Sequence, residues 1–290
     1  MKHYFINILL FVAVTLAVSC DKNFETMEGV DNLDGMPTSV GGITSKALPG
    51  QILLKWQVPI DSNFYLLKIS YFDFLTQTKV HKVTSAFVDS IVIDNTREKF
   101  GKYDFTFQTF SADNQGGAAS SIQAVSGKAP ITETITRSKI ALTVDQLSTN
   151  NQEPSEGPIS NLIDGNAKTF FHTRWSSPQI PMPQYIQIQL KEAIDDFQFY
   201  LINRSSSQQA PKIVEVQISN DGVEWETIKT ISAGLPSAGG ADYTSAVFRP
   251  GRTFSYFRYN CLETFGGTKY FNLAEFEIYN VDIKTYDPEL

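Results

Sequence analysis

Oxygen-bearing side chains are concentrated in one short loop of the sequence, within NLIDGNAKTFFHTRWSS at 161–177. Asp164, Asn166 and Thr169 could turn a carboxylate, an amide and a hydroxyl toward one point. A hard cation such as calcium takes about six to eight oxygen ligands of this kind. Because Asp, Gly and Asn also favour turns for local reasons, an ordinary turn is the alternative. The loop therefore predicts either a cation site or a plain turn that leads into a strand.

A histidine and a tryptophan, His172 and Trp175, follow this loop directly, and both residue types occur in sugar sites and in catalytic sites. Catalysis by His172 would need a partner side chain. The other histidine of the exported chain, His81, belongs to a different predicted domain, where we expect it to be exposed on a strand. The sequence contains no G-x-S-x-G, no H-E-x-x-H and no phosphate-binding glycine motif. These observations predict that the protein is not an enzyme.

Two pairs of acidic residues could in principle act on glycosidic bonds, since glycoside hydrolases use paired carboxylates. Asp195 and Asp196 are adjacent, and Glu224 and Glu226 flank Trp225. Adjacent residues of a strand point to opposite faces of a sheet. Asp195 and Asp196 therefore do not form a pair, and we expect Glu224 and Glu226 to lie on a solvent face, so we interpret all four as surface carboxylates.

Composition indicates a folded chain with more than one domain. The sequence has 290 residues, of which 42% are hydrophobic and 19% charged, values typical of globular proteins. The length is too great for one typical domain and suits two. The formal net charge of −7 counts against a nucleic-acid partner, which would require a basic face.

The first twenty residues have the pattern of an export signal. Basic residues precede an apolar run that is short for a membrane span, and small residues lead to Cys20. The sequence LAVSC resembles a bacterial lipobox, although its leucine lies one place further from the cysteine than usual. This resemblance implies a signal peptide over 1–19, lipidation of Cys20 and a polar tether over 20–39. Plain secretion is the alternative. The second cysteine, Cys261, then has no intramolecular partner and is predicted to be a buried apolar residue.

The segment 40–128 predicts an antiparallel β-sandwich of the immunoglobulin or fibronectin kind. Short runs such as QILLKWQV, FYLLKISYF and YDFTFQTFSA alternate apolar and polar residues, and turn-forming residues separate them. Trp56 lies on an early strand where a core aromatic is expected. The segment resembles the fibronectin-like N-terminal module of Bacteroidetes surface lipoproteins. The piece APITETITRSK at 129–139 is predicted to be a linker.

The segment 140–282 predicts a second all-β domain, a jelly-roll sandwich. Its apolar runs include YIQIQL, DFQFYLIN, KIVEVQIS, FSYFRYNC and LAEFEIYNV, and SNDGVEW predicts a tight turn. Residues 283–290 are predicted to be a tail. The order of LIDGNAKTFFHTRWSS, PQYIQIQL, FYLINR, APKIVEVQISNDGVEWETI and LAEFEIYNV resembles the coagulation factor five/eight type C (F5/8 type C, discoidin-like) domain. Within that superfamily the segment is most similar to family 32 carbohydrate-binding modules.

This resemblance implies a structural cation, calcium or sodium, between the early loop and the last strand. The matching positions offer side-chain oxygens from Asp164, Thr169 and Glu275 and main-chain carbonyls from Asn161, Asn166 and Ala274.

The same resemblance implies a sugar site in the loops at one end of the domain. His172 and Arg204 match the histidine and arginine that contact the ligand in galactose-binding members. An asparagine that follows the arginine in those members is missing, so that Gln208 or Gln209 would have to supply the amide. Phe265, in a glycine-rich loop, is a candidate aromatic platform. Trp175 is a second candidate, although we expect it to pack in the core.

These features predict a non-catalytic, lipid-anchored, glycan-binding protein of the outer-membrane surface, with no other membrane attachment. The resemblance implies a polysaccharide-uptake system of the starch-utilisation kind, with glycans and possible outer-membrane uptake proteins as partners. An adhesion module that binds protein or lipid headgroups is the alternative. A structural subunit with a decayed sugar site is a third hypothesis.

Overall fold

The structure is a computed structural model that describes residues 35–60, 63–205 and 209–290. The predicted signal peptide, Cys20, most of the tether and Gln208 lie outside these residues. The chain divides into two compact units, one up to Ile131 together with Asp287–Leu290 and the other Thr132–Tyr286. Both units are built of antiparallel strands, as predicted for an all-β protein. In the part of the chain that the structure describes, no helix is long and apolar enough to span a membrane.

Unit 1 contains seven strands in two antiparallel sheets, with orders β1-β2-β5 and β4-β3-β6-β7. The strands are β1 Gly41–Leu48, β2 Gln51–Gln57, β3 Leu66–Asp73, β4 Thr78–Ser85, β5 Ser90–Ile93, β6 Lys102–Phe110 and β7 Ser120–Val125.

The core of unit 1 lies between these two sheets because alternate residues of each strand point inward. Tyr103, Phe105 and Phe107 are the buried residues of β6, and the residues between them are more exposed. Trp56 of β2 is buried and meets Phe107 edge to face across the core, with ring centroids 5.8 Å apart. The predicted core position of Trp56 is confirmed.

A side-chain hydrogen bond fixes the corner that precedes β6. The Tyr103 hydroxyl accepts a hydrogen bond from the Arg97 N–H at 2.8 Å, six residues upstream. A tyrosine that bonds back to the preceding corner in this way is typical of immunoglobulin-like sandwiches. The bond therefore agrees with the sandwich architecture predicted for this segment.

Unit 2 contains eleven strands: β8 Thr132–Lys139, β9 Leu147–Ser148, β10 Phe171–His172, β11 Gln184–Ile194, β12 Phe197–Ile202, β13 Pro211–Ser219, β14 Glu226–Ile231, β15 Asp242–Thr244, β16 Phe254–Thr264, β17 Asn272–Leu273 and β18 Glu275–Tyr286. They form a five-stranded sheet, β14-β13-β16-β11-β9, a four-stranded sheet, β15-β12-β18-β8, and the short pair β10-β17.

Aromatic rings dominate the core of unit 2. Phe199 of β12 stacks on Phe276 of β18, with ring centroids 5.5 Å apart, and also contacts Phe257 and Tyr259 of the opposite sheet. Cys261 of β16 is fully buried, as predicted, and is a free thiol. Burial raises the pKa of this thiol to about 12.

The boundaries predicted for the second domain need two corrections. Residues 132–139, predicted to be part of a linker, form strand β8, and residues 283–286, predicted to be tail, complete β18. The two strands pair antiparallel from Lys139 opposite Tyr279 to Thr132 opposite Tyr286. A largely exposed edge strand carries little hydrophobic pattern, and its hydrogen-bond partners lie far away in the sequence.

The tight turn predicted at SNDGVEW is present between β13 and β14. Asp221 accepts hydrogen bonds from the N–H groups of Val223 and Glu224, and Gly222 adopts a φ of 73°. Glu224 and Glu226 are exposed, as expected for surface carboxylates.

Candidate cation loop and ligand-binding end of the C-terminal unit

The predicted cation loop begins where a short 3₁₀ helix, Ile159–Ile163, ends at Asp164. One Asp164 oxygen accepts a hydrogen bond from the Asn166 N–H at 2.8 Å, and the other accepts one from the Thr169 hydroxyl at 2.7 Å. Gly165 has a φ of 75°, a conformation that glycine adopts without a steric penalty. The local sequence therefore folds the loop around the Asp164 carboxylate.

Glu275, the first residue of β18, brings a second carboxylate to this loop. Burial and the neighbouring Asp164 carboxylate raise the pKa of Glu275 to about 7, although the N–H groups of Asn166 and Gly165 oppose the shift. The Oε1 atom of Glu275 is buried and has no hydrogen-bond partner. Two carboxylates that crowd one site, one of them with an unpaired buried oxygen, are an arrangement that a cation would stabilise.

The donor set fits a hard cation better than a transition metal. Among the described residues, no three His, Cys, Asp or Glu side chains come together to hold a metal. A cation at this loop would therefore depend on two carboxylates together with neutral hydroxyl and carbonyl oxygens, the ligands that calcium prefers. The side-chain NH₂ of Asn161 donates to the Phe170 carbonyl at 2.9 Å. Ala274 is buried, and its N–H donates to the Ile202 carbonyl. The oxygen that Ala274 could offer a cation is its main-chain carbonyl, as predicted.

His172 lies on β10, at the end of the loop, and its side chain is almost completely buried, with 4% exposed. The backbone of Gly157 is in direct contact with it: the His172 N–H donates to the Gly157 carbonyl at 3.0 Å, and a Cβ on Gly157 would lie 2.8 Å from the His172 Cβ. The imidazole Nδ1 is 2.6 Å from the Thr173 carbonyl, so Nδ1 carries the proton and Nε2 is left as an acceptor.

The charge state of His172 follows from its surroundings. Burial lowers the pKa of the imidazole, and the positive charge of Arg204 lowers it further, against the opposing effect of the Thr173 carbonyl. The ring is therefore neutral at pH 7. A neutral imidazole with a protonated Nδ1 can accept a hydroxyl hydrogen at Nε2, so His172 would contact a ligand hydroxyl as an acceptor.

Arg204 follows β12, and its guanidinium lies over the Phe170 ring, 3.4 Å from the ring centroid. Such a stacked arginine keeps its N–H groups in a fixed plane. Its main chain is held by the loop before β15, because the Gly240 N–H donates to the Arg204 carbonyl at 3.2 Å. The buried Asn203 amide donates to two further carbonyls of that loop, those of Pro236 and Ala238.

Gln209 and Phe265 lie at the same end of the unit. The Asn272 amide is 3.4 Å from the Gln209 Oε1, and Asn272 pairs with His172 across β10 and β17. The Phe265 N–H donates to the Ala210 carbonyl at 3.0 Å, and its ring is exposed. The structure thus brings His172, Arg204, Gln209 and Phe265 to one end of the unit.

The prediction that Trp175 packs in the core was wrong. Its ring is 44% exposed, and Phe171 supplies the buried ring at this strand start. The N–H groups of Trp175 and Ser176 donate to the Glu153 carboxylate at 3.1 and 3.0 Å, which turns the tryptophan outward. The indole N–H donates to Glu156 Oε1 at 2.8 Å.

Several residues of this end escaped sequence analysis. Glu153, Glu156 and Asn272 lie outside the motif around His172 and contact it only in the folded chain, and Asn203 holds the loop that supports Arg204. Tyr270, whose ring centroid is 5.4 Å from that of the His172 imidazole, comes from the loop before β17. No motif in the run QEPSEGP marked its two acids as site residues, and nothing local marked Asn203 as a residue that supports Arg204.

Comparison with known proteins found one family model that matches most of unit 2. Residues 146–276 match the family model of the F5/8 type C domain. A sialidase from Micromonospora viridifaciens is 27% identical over 193 residues, which cover 63% of this chain. The chain spans only 28% of the length of that sialidase.

Several solved structures are similar to parts of the chain. A family 32 carbohydrate-binding module from Clostridium perfringens, in complex with GalNAc-β-1,3-galactose, is 23% identical with a TM-score of 0.40. The match covers 46% of this chain and 92% of the module. A SusE-like protein is 13% identical with a TM-score of 0.40, over 82% of this chain and 96% of the other. The family match and the all-β architecture together support an F5/8 type C domain as the C-terminal part of this chain.

Proposed function

We propose that this chain is a non-catalytic carbohydrate-binding lipoprotein of the cell surface, which binds a sugar at the loop end of its F5/8 type C domain. The observation that carries the proposal is the grouping around His172. Arg204 is held planar on Phe170, His172 offers a neutral acceptor, and Trp175 exposes an aromatic face. Sugars require such a combination of planar donors, acceptors and an apolar surface for their C–H face.

The cation loop has a supporting role in this proposal. Calcium, or sodium in its place, would join the loop at Asp164 to β18 at Glu275 and so stabilise the segment that leads into His172. The crowded carboxylates and the unpaired Glu275 oxygen support this assignment. Anchoring through Cys20 and a place in outer-membrane polysaccharide uptake belong to the same proposal, and the lipobox-like LAVSC sequence supports the anchor.

Calorimetric titration of the full chain with neutral sugars tests the proposal. The panel includes galactose, N-acetylgalactosamine, N-acetylglucosamine and glucose. We expect a dissociation constant in the millimolar range for at least one sugar, because a site that buries one ring gains little after the costs of ordering. The Arg204→Ala variant should lose this binding. No heat with any sugar at millimolar concentration, together with recovery of a defined protein partner, would favour the adhesion alternative and overturn the proposal.

A further inference from the structure

One end of unit 1 is formed by the connections β2–β3, β4–β5 and β6–β7 and by the residues before β1. In the first sheet, Gly41 lies opposite Gln57. In the second sheet, Leu66 lies opposite both Ser85 and Phe110. These pairings bring the strand ends that flank the three connections to the same end of the sandwich. We call it the entry end, and its described residues are 35–40, 58–60, 63–65, 86–89 and 111–119.

The chain segment that leads into unit 1 is bound at the entry end. The Asn63 side-chain amide donates to the Met36 carbonyl at 3.1 Å, and its Oδ1 accepts from the N–H and the hydroxyl of Thr38 at 2.6 and 2.7 Å. The Ser39 hydroxyl donates to the Ala118 carbonyl at 2.9 Å. Two of the three connections therefore hold the incoming chain, and unit 1 begins at this end.

Large apolar and aromatic side chains are exposed at the entry end. Phe87, in the turn between β4 and β5, is 97% exposed, and Ile60, after β2, is fully exposed. Met36 and Tyr65 are 67% and 53% exposed. Tyr65 lies beside the Phe87 turn, because its carbonyl accepts from the Ala86 N–H at 3.2 Å. Single exposed apolar residues are normal on a protein surface, whereas a group of them at one end marks an interaction surface.

The charges of the entry end favour an uncharged partner. Within the residues listed for this end, the charged side chains are those of Asp89 and Asp113, and both are acidic. An anionic surface would be repelled, and a basic patch that would attract phosphate groups is not present in this part of the described chain. Contact at this end therefore depends on the removal of apolar side chains from water, which salt does not screen.

We infer that the entry end of unit 1 docks on the bilayer that holds the lipid of Cys20, with Phe87 and Ile60 inserted among the lipids. The inference rests on the lipid anchor of the proposed function. Residues 21–35 connect Cys20 to the entry end, so the anchor keeps this end near the bilayer at a high effective concentration. Aliphatic and aromatic side chains then gain free energy at the boundary of the acyl layer, and Tyr65 suits the interface itself. This contact adds to the lipid anchor, which the sequence predicts as the only membrane attachment.

Fluorescence of the lipidated chain in phosphatidylcholine vesicles tests the inference. Phe87→Cys introduces a thiol for an environment-sensitive fluorophore, and Cys261 is fully buried and does not compete for the label. Leu75→Cys is the matched control, since Leu75 is an exposed apolar residue in the β3–β4 connection at the opposite end of unit 1. We expect a blue shift and quenching by brominated lipid at position 87, neither at position 75, and no change with added salt. Water-like emission at both positions would overturn the inference.

A second pair of variants separates insertion from mere proximity to the bilayer. With the fluorophore attached through Tyr65→Cys, the additional substitution Phe87→Asp should abolish the blue shift, because a charged side chain is costly in the acyl layer. Leu75→Asp should leave the blue shift in place, and equal melting temperatures check that each variant is folded. A blue shift that survives Phe87→Asp would overturn the insertion of this end.

The outcomes for the inference and for the proposed function can be told apart. A mature chain without lipid on Cys20 would refute the anchor in the proposed function, and this inference with it. Absence of sugar binding in the calorimetric titration would overturn the sugar site alone, and the fluorescence at position 87 would still decide membrane docking. Water-like emission at position 87 in the lipidated chain would overturn the docking and leave the anchor and the sugar site intact.

Discussion

The two units of this chain have similar cores and different loops. Both pack antiparallel sheets over buried aromatic rings, such as Phe107 in unit 1 and Phe199 in unit 2. In unit 1 the characteristic polar contact is internal, since the Tyr103 hydroxyl bonds to the backbone at Arg97. In unit 2 the indole N–H of the exposed Trp175 donates to the Glu156 carboxylate, and the Arg204 guanidinium stacks on the Phe170 ring. The two units therefore share a sandwich architecture and differ in the side chains that their loops hold near the surface.

The largest expected effect tests whether the two cores are separate. Phe199→Ala removes a fully buried ring from unit 2, and the loss of a core aromatic costs about 3–5 kcal/mol. Scanning calorimetry should show two unfolding transitions, of which this substitution lowers one. Phe107→Ala should lower the other by a similar amount. A single transition that both substitutions shift equally would contradict the division into two units.

The second largest expected effect is that of calcium, which should raise the thermal stability of unit 2 and not that of unit 1. At about one hundred times its Kd, calcium stabilises a folded protein by about 2.7 kcal/mol. This corresponds to a rise of about 5–10 °C in the Tm of unit 2. The unit 1 transition should not move, and Asp164→Ala should abolish the shift while the exposed Asp282→Ala preserves it. A shift that survives Asp164→Ala would place calcium elsewhere.

Arg204 and Arg252 are both partly exposed arginines of unit 2 and form a matched pair. Arg204→Ala should weaken sugar binding about thirtyfold, or about 2 kcal/mol, because it removes charge-assisted hydrogen bonds. Arg252 forms a surface ion pair with Glu226, a type of contact worth about 0–1 kcal/mol. Arg252→Ala should leave the sugar affinity measured by titration calorimetry unchanged. Equal losses of affinity in both variants would argue against a specific site at Arg204.

The smallest effect concerns acid stability near Trp175. Burial would raise the pKa of Glu153, but hydrogen bonds from Ser155 and Ser176 lower it to about 2. The unfolded pKa is about 4.3, so the stabilisation is complete at higher pH and is lost as pH falls from that value through about 2. In the Glu153→Gln variant, the free energy of unfolding of unit 2 should therefore fall less steeply as the pH is lowered below about 4. An acid limb of unchanged slope in this variant would contradict the assignment.

Most of the correct predictions from the sequence came from strand patterns and short motifs. Alternating runs such as YDFTFQTF and YIQIQL have a period of two, which is a local property of a half-buried strand. The Asp164 loop and the SNDG turn were predictable because Asp, Asn and Gly control the backbone over a few residues. The edge strand Thr132–Lys139 was missed because its partner, β18, lies at the other end of the domain.

The sequence by itself determined the all-β class, the core positions of Trp56 and Cys261, and the loop around Asp164, since each depends on composition or on neighbours along the chain. Only the tertiary structure decided which way Trp175 faces, which loop supports Arg204 and that Glu156 joins the ligand-binding end. Those outcomes depend on hydrogen bonds between distant segments, such as Gly157 with His172 and Asn203 with Pro236. Hydrophobic patterning is local, whereas the orientation of a polar side chain is set by whichever partner the fold brings within reach.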